Sequence, residues 1–220
     1  MFIPREVMSG PFKGMRYLNT SVGSVYLPKI IGTYEDELHE ILNHVKSKNY
    51  SLFIDVGAAE GYYAIGVKKY LLPTLKKAVA FEATVKGRKS IKKLGHINNI
   101  KDIHIEGFCD VDSLSNQLSD EKTFILVDIE GGEYDLLNPE KIEFKNCDIL
   151  VEIHTKVGMN DETLINKFNK THTICKIDKR IKRLPETISC HDLIRKNSNY
   201  VTNEFRGPQS WLFMESKNPC

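Results

Sequence analysis

Short apolar runs recur along the chain, and most of them finish on an acid or a histidine. Leu52, Phe53, Ile54 and Val56 form the first, with Asp55 inside it. Residues 77–82 form the second and end at Glu82. Residues 102–106 alternate, and Asp110 follows shortly after. Residues 123–129 run into Asp128 and Glu130, and residues 148–154 close on Glu152 and His154. Continuous apolar runs of this length predict parallel strands covered on both faces. Helical spacing fills the gaps. Leu38, Ile41, Leu42 and Val45 predict a helix over 34–47, with Thr33 as its cap. Further helices are expected over 61–72, over 84–97 with Val85, Ile91 and Leu94 inward, near 111–119, from 130 to 137, and over 160–170. Two more strands are expected at 172–178 and 210–215. Prolines and glycines break up residues 1–32, where short strands near 15–18 and 24–27 are the expected elements. Residues 179–209 read as irregular and partly basic. Strands alternating with helices predict an α/β fold with a mostly parallel sheet and right-handed crossovers.

Composition narrows the picture. The 220 residues suit one α/β domain and fit two poorly. With 31 Lys and Arg against 29 Asp and Glu, the net charge is +2, which makes no general case for nucleic-acid or membrane partners. No run reaches the roughly 18 apolar residues of a membrane span. The opening residues, Met1 to Glu6, lack the basic-then-apolar order of a secretory signal. Cys109, Cys147, Cys175, Cys190 and Cys220 are scattered and form no C-x-x-C, which reads as reduced thiols in a cytoplasmic protein with no zinc site.

The chemistry gathers at the strand ends. In an open α/β sheet, ligands sit outside the carboxyl ends of the strands. After the first strand comes Gly57-Ala58-Ala59-Glu60-Gly61, a glycine turn whose backbone could approach a ligand closely. It is not the G-x-G-x-x-G spacing of a dinucleotide site. Asp55, just ahead of it, would repel a pyrophosphate and attract a cation. Glu82 lies 25 residues after Gly57, near the offset at which an acid meets a ribose diol.

These residues resemble a family. Asp55-Val56-Gly57-Ala58-Ala59-Glu60-Gly61 is similar to motif I of the class I S-adenosylmethionine-dependent methyltransferases. The likeness within them is to the FkbM-type enzymes. They share the turn followed by aromatics (Tyr62-Tyr63), the strand-four element Asp128-Ile129-Glu130-Gly131-Gly132-Glu133, and Val151-Glu152-Ile153-His154 on strand five. The resemblance spans about residues 33–155. It implies a Rossmann-like class I methyltransferase fold, with a seven-stranded, mostly parallel sheet and one antiparallel strand near the C-terminus. It implies a single domain over 1–220, with an N-terminal extension and leading helix (1–48), a cofactor-binding core (49–155) and acceptor-side strands and loops (156–220). S-adenosyl-L-methionine would lie along Asp55, Gly57, Ala58, Ala59, Glu60, Gly61 and Tyr62. Glu82 would hold the ribose, Asp110 the adenine amino group, and Asp128 would border the donor. Ala59 replaces the usual middle glycine, which is tolerable at negative φ. Glu60 either accepts from the donor's ammonium or caps the following helix.

Methyl transfer to a hydroxyl needs alignment and loss of the hydroxyl proton. His154 is the expected general base. Asp128 and Glu152 would orient it or the acceptor, and Glu130 would bind the acceptor. These four are also donors that magnesium could use, although the sequence alone assigns no metal. There is no [DNS]-P-P-[YFW] after strand four and no cysteine there, which disfavours adenine-amino and cytosine-C5 methylation. A hydroxyl on a small molecule or glycan is the expected acceptor. An RNA methyltransferase using the basic residues 86–93 and 176–183 is the alternative, and a non-catalytic cofactor-binding module is the second. Arg206 could reach an acidic acceptor, but it reads first as a surface loop residue.

Overall fold

The computed structural model describes residues 5–189, 192–207 and 209–218. The expectations about Met1–Pro4, Cys190 and Cys220 fall outside these. Seven strands form one sheet: β1 (Leu52–Val56), β2 (Lys77–Phe81), β3 (Ile103–Glu106), β4 (Thr123–Val127), β5 (Cys147–Ile153), β6 (His172–Asp178) and β7 (Ser210–Ser216). Their order is β3-β2-β1-β4-β5-β7-β6. Pairs among β1 to β5 are parallel, while β7 runs antiparallel between β5 and β6. This is the sheet expected from the resemblance. Every residue of β1, β4 and β5 is buried, which is why these strands read as near-continuous apolar runs, interrupted by Asp55 in β1 and by Asp148 and Glu152 in β5.

Alternation along the strands divides the core. Phe53, Phe124, Leu126 and Leu150 point to one face, under α2 (His39–Lys46), α3 (Tyr62–Gly66) and the N-terminal segment. Ile54, Val79, Ile125, Ile149 and Val151 point to the other, under α5 (Val111–Ser115), α6 (Glu133–Leu136) and α7 (Asp161–Phe168). The helix α4 (Val85–Ile97) starts at Thr84, whose hydroxyl accepts from the Gly87 N–H.

Several elements differ from expectation. Residues 26–31 form a helix, α1 (Tyr26–Ile31), rather than a strand, and Arg16 makes only an isolated bridge to Glu6. Pro28 sits in that first turn, where its missing N–H costs nothing. The expected helix over 34–47 is broken. Glu35 adopts a left-handed φ of 48°, a 3-10 turn covers Asp36–Leu38, and α2 begins at His39 with no side-chain cap. The helix after the glycine turn widens into a π turn over Val67–Leu71. Helices α5 and α6 are shorter than expected, and three short ones occupy part of 179–209: α8 (Glu186–Ser189), α9 (Asp192–Lys196) and α10 (Ser198–Val201).

The N-terminal segment is fastened to the core by packing and by charge. Phe12 lies edge-on to Tyr62 and Tyr63, with ring centroids 5.1 and 5.9 Å apart, over the bare backbone of Gly66. Lys29, on α1, puts its Nζ 2.6 Å from Glu60 Oε1, and both side chains are buried. The Tyr17 hydroxyl donates to the same oxygen, and the Val22 N–H donates to Oε2 at 2.9 Å. Burial pushes the Glu60 carboxyl upward, but Lys29 and these hydrogen bonds outweigh it and hold the group below its usual range. Glu60 makes no side-chain cap on α3, and three donors from the N-terminal segment converge on its carboxylate.

Two predictions follow from this packing. Lys29→Met leaves Glu60 charged and buried, so it should cost about 3–5 kcal/mol, and Lys29→Met/Glu60→Leu should recover most of that in denaturant titration. A double mutant no more stable than the single one would sever the link. His39 is the second case. Burial, aided by Arg180 and Lys182 and opposed by Asp36, lowers its pKa from 6.5 to about 4. The folded state therefore binds fewer protons than the unfolded one, and stability declines as pH falls from about 6.5 towards 4. Between pH 7 and 5 the loss should be on the order of 1 kcal/mol, and His39→Phe should flatten it.

Candidate functional site

Strand order reverses between β1 and β4, whose neighbours continue in opposite directions. The turn after β1 passes close to the end of β4. The Asp128 N–H donates to the Val56 carbonyl at 2.9 Å, and the Gly57 and Ala58 N–H groups both donate to the Phe81 carbonyl at 3.0 Å. Gly57 has φ 88°, and a Cβ there would overlap the Asp128 carbonyl. At Gly61, φ 93°, a Cβ would come within 3.2 Å of Ile91 on α4. The two glycines are thus required by chain packing on chain, and Gly57 alone also faces the cavities. The negative φ expected for Ala59 is not found: it sits at φ 49°, a left-handed position that stores strain. Its N–H donates to Glu82 Oε2 at 3.0 Å. The other Glu82 oxygen accepts from the Thr84 N–H and hydroxyl at 2.8 and 2.6 Å.

Two cavities open at this point. The larger, about 580 Å³, runs over the ends of β1, β2 and β4 and is lined by Val56, Phe81, Glu82, Phe108, Asp110 and Leu136 among others. Asp110 stands at its edge, where its carboxylate accepts from the Ser113 N–H at 2.8 Å and completes a capping box on α5. The smaller, about 170 Å³, lies under the N-terminal segment and is lined by Lys29, Tyr34, Asp55, Ala58, Tyr62 and Glu152 among others. Gly57, Asp128 and Glu130 line both. Asp55 is buried with Oδ2 unpartnered, and burial together with Asp128 raises its carboxyl to about 8.

The ends of β4 and β5 bring His154, Asp128, Glu130 and Glu152 together. His154 Nε2 lies 3.9 Å from Asp128 Oδ1, 3.7 Å from Glu130 Oε2 and 3.7 Å from Glu152 Oε2. On the far side of the ring, Nδ1 is 3.6 Å from Oε1 of the fully buried Glu133, which also accepts the His154 backbone N–H at 2.9 Å. Glu133 raises the imidazole's pKa, burial opposes the rise, and the charges of Asp128 and Glu130 add to it. Burial first, then Asp128, raises the Glu152 carboxyl well above the usual carboxylate range. One donor atom each from Asp128, Glu152 and His154 lie within 4.8 Å of one another.

Arg206 is not a surface residue. It donates to Glu35, lies 3.1 Å from Glu152 Oε1 and covers the Tyr34 ring at 5.2 Å. Glu35 also accepts from the Tyr63 hydroxyl, and its own N–H donates to Glu204 at 2.8 Å. Sequence reasoning passed over Lys29, Glu35 and Arg206 because their partners lie 31 and 171 residues away. For Lys29 a signal existed: it is the one charge in the apolar stretch 25–31. Glu133 was visible only as the last acid of the 128–133 element.

No family model matches the chain, and no curated protein does. Solved structures do. An rRNA methylase from Streptococcus thermophilus superposes with a TM-score of 0.54 at 11% identity, covering 83% of this chain and 97% of its own. A putative O-methyltransferase from Klebsiella pneumoniae gives 0.52 at 10% identity, with 83% and 80% covered. M. capricolum TrmK, solved with S-adenosyl-homocysteine, gives 0.52 at 13% identity, with 81% and 68% covered. The chain therefore carries the Rossmann-like fold of the class I methyltransferases.

Proposed function

We propose that this protein is an S-adenosylmethionine-dependent methyltransferase acting on a hydroxyl, as the likeness to FkbM-type enzymes implies. The observation that carries the reading is the pair of cavities meeting at Gly57, Asp128 and Glu130. The larger has the size and apolar walls for a nucleoside, with Glu82 at the place of a ribose diol. The smaller is acidic, which suits a sulfonium and an ammonium rather than phosphates. The neighbours in fold include a methyltransferase bound to the demethylated donor.

In this arrangement the donor's methyl faces the ends of β4 and β5, and Asp128, Glu130, Glu152 and His154 form the acceptor end. A small-molecule or glycan hydroxyl is favoured over RNA on electrostatic grounds. Acids crowd the acceptor end, and three cations of the basic stretch near 176–183 are paired internally: Lys176 with Asp161 at 2.6 Å, Arg180 and Lys182 with Asp36 at 3.2 and 3.0 Å. Phosphates would find few free cations there.

Calorimetric titration with S-adenosylmethionine and its demethylated product tests the donor site. Both should bind. Glu82→Ala should weaken binding about 10- to 100-fold, the worth of a charged hydrogen-bond acceptor. Gly57→Ala should abolish binding and lower stability by about 2–4 kcal/mol. An absence of heat with both ligands would rule the reading out. A tritiated-methyl screen over sugars, other hydroxyl metabolites and RNA then identifies the acceptor, and transfer to RNA alone would reverse the acceptor assignment.

A further inference from the structure

The outer face of α4 carries charge that its packing does not require. The helix turns Gly87, Ile91, Leu94 and Gly95 inward, and a Cβ at Gly87 would overlap the Glu82 side chain, so α4 lies close against the sheet. On the outer side Lys86, Lys89, Lys92, Lys93 and His96 are exposed, and exposed Lys101 follows the helix. No acid occurs between Glu82 and Asp102. Among the described residues none of these five lysines has an ion-pair partner, whereas Lys68 and Lys76 pair with Asp102 and Glu121. Arg88 is occupied, donating to the Glu82 and Ala83 carbonyls at 2.7 Å each.

This arrangement works against the helix. Lys86, Arg88 and Lys89 lie in the first turn and just after it, at the positive end of the helix dipole. Arg88 with Lys92, and Lys89 with Lys93, place like charges at i,i+4. A face serving solubility alone mixes both signs. Two open grooves flank the lysines. One, about 500 Å³, is lined by Val85, Lys86, Lys89, Ser90 and Lys93. The other, about 630 Å³, runs between α4 and the edge strand β3, with Lys92, His96, Lys101 and His104 on its walls and Glu106 as its one acid.

We propose that this face docks an acidic glycan, a chain bearing carboxylates on some residues and neutral hydroxyls on others. As an occupant of α4 this glycan stands on charge complementarity. As the source of the acceptor hydroxyl it rests on the methyl-transfer reading. β2, which leads into α4, lies three strands from β5, roughly 14 Å at the spacing of a sheet. A ligand touching both α4 and the ends of β4 and β5 is therefore a chain rather than a single sugar. Its charged residues meet the lysines, and a neutral residue meets Asp128, Glu130 and Glu152. RNA fits this division poorly. Every ribose hydroxyl has a phosphate beside it, and residues 83–107 hold no Phe, Tyr or Trp on which a base stacks. A bilayer fits poorly as well, because Val85 is the one large apolar side chain that α4 exposes.

Polygalacturonate, a polymer of uronate residues, is the probe, followed by calorimetry on the intact protein. It should bind, and the affinity should fall about tenfold between about 50 and 200 mM salt. Lys86→Glu/Lys89→Glu/Lys93→Glu should weaken binding at least tenfold at low salt. Lys170→Glu, at an exposed lysine beyond α7, should not. Unfolding curves should show the triple variant as stable as the parent, because acids suit the first turn of a helix. Its titration with S-adenosylmethionine should be unchanged. The acceptor found by the tritiated-methyl screen should be an acidic glycan whose KM rises at least tenfold in the triple variant while kcat holds. No binding of polygalacturonate at low salt, equal binding by the triple variant, or a neutral acceptor with unchanged KM would overturn the proposal. So would tighter binding of single-stranded RNA or of phosphatidylserine vesicles through the same lysines. Glycan docking without S-adenosylmethionine binding would remove the methyltransferase reading and leave the docking face. Donor binding without docking would do the reverse.

Discussion

A carboxylate taken out of water needs a cation or a set of donors, and three such pairings fasten the segments that flank the smaller cavity. Glu60 draws Lys29 inward, Glu35 draws Arg206, and Glu37 and Glu204 draw Lys182. Lys29 comes from the short helix α1, and Lys182 and Arg206 come from stretches outside any helix or strand. The charge pairs therefore decide where the N-terminal segment and residues 179–209 lie, and these two segments wall the smaller cavity. Breaking a buried pair strands its partner, so the walls and the site are coupled energetically. Tyr34 adds to this coupling, because its ring lies between the Lys29 ammonium, 4.6 Å from its centroid, and the Arg206 guanidinium at 5.2 Å.

The parallel core was legible in the sequence because its signals are local. Strands buried on both faces are apolar over most of their length, and β1, β4 and β5 are, with Asp55, Asp148 and Glu152 as the charged exceptions. The acids at their ends were legible for the same reason, since each interrupts or terminates such a run. The long-range order was not. Nothing near Arg206 marks a partner 171 residues away, and nothing near Lys182 marks one 145 residues away. The residues before α1 read as broken strands because prolines and glycines register as interruptions. In the structure Pro28 opens a helix instead.

The glycine turn shows a subtler limit. Its spacing reads as a ligand-approach turn, while in the structure both glycines answer to packing. Gly57 and Gly61 are small because β4 and Ile91 press against them. Close packing brings the ends of β1 and β4 together, and that proximity is what joins the two cavities. Glu60, which spacing put in the donor site, fastens the N-terminal segment instead. Glu133, which spacing left in the background, holds the backbone of His154.

The last strand in chain order, β7, lies inside the sheet, between β5 and β6. Arg206 precedes it by four residues. During synthesis β1 to β5 can pair as they emerge, but Glu152 waits for its guanidinium partner until β7 inserts alongside β5. The β5 side of the smaller cavity is therefore assembled last. A chain halted before β7 would present the glycine turn on a five-stranded parallel sheet, with an open edge where β7 belongs and an uncompensated acid beside it. Completion of the two cavities is thereby ordered in time by topology, without any further device.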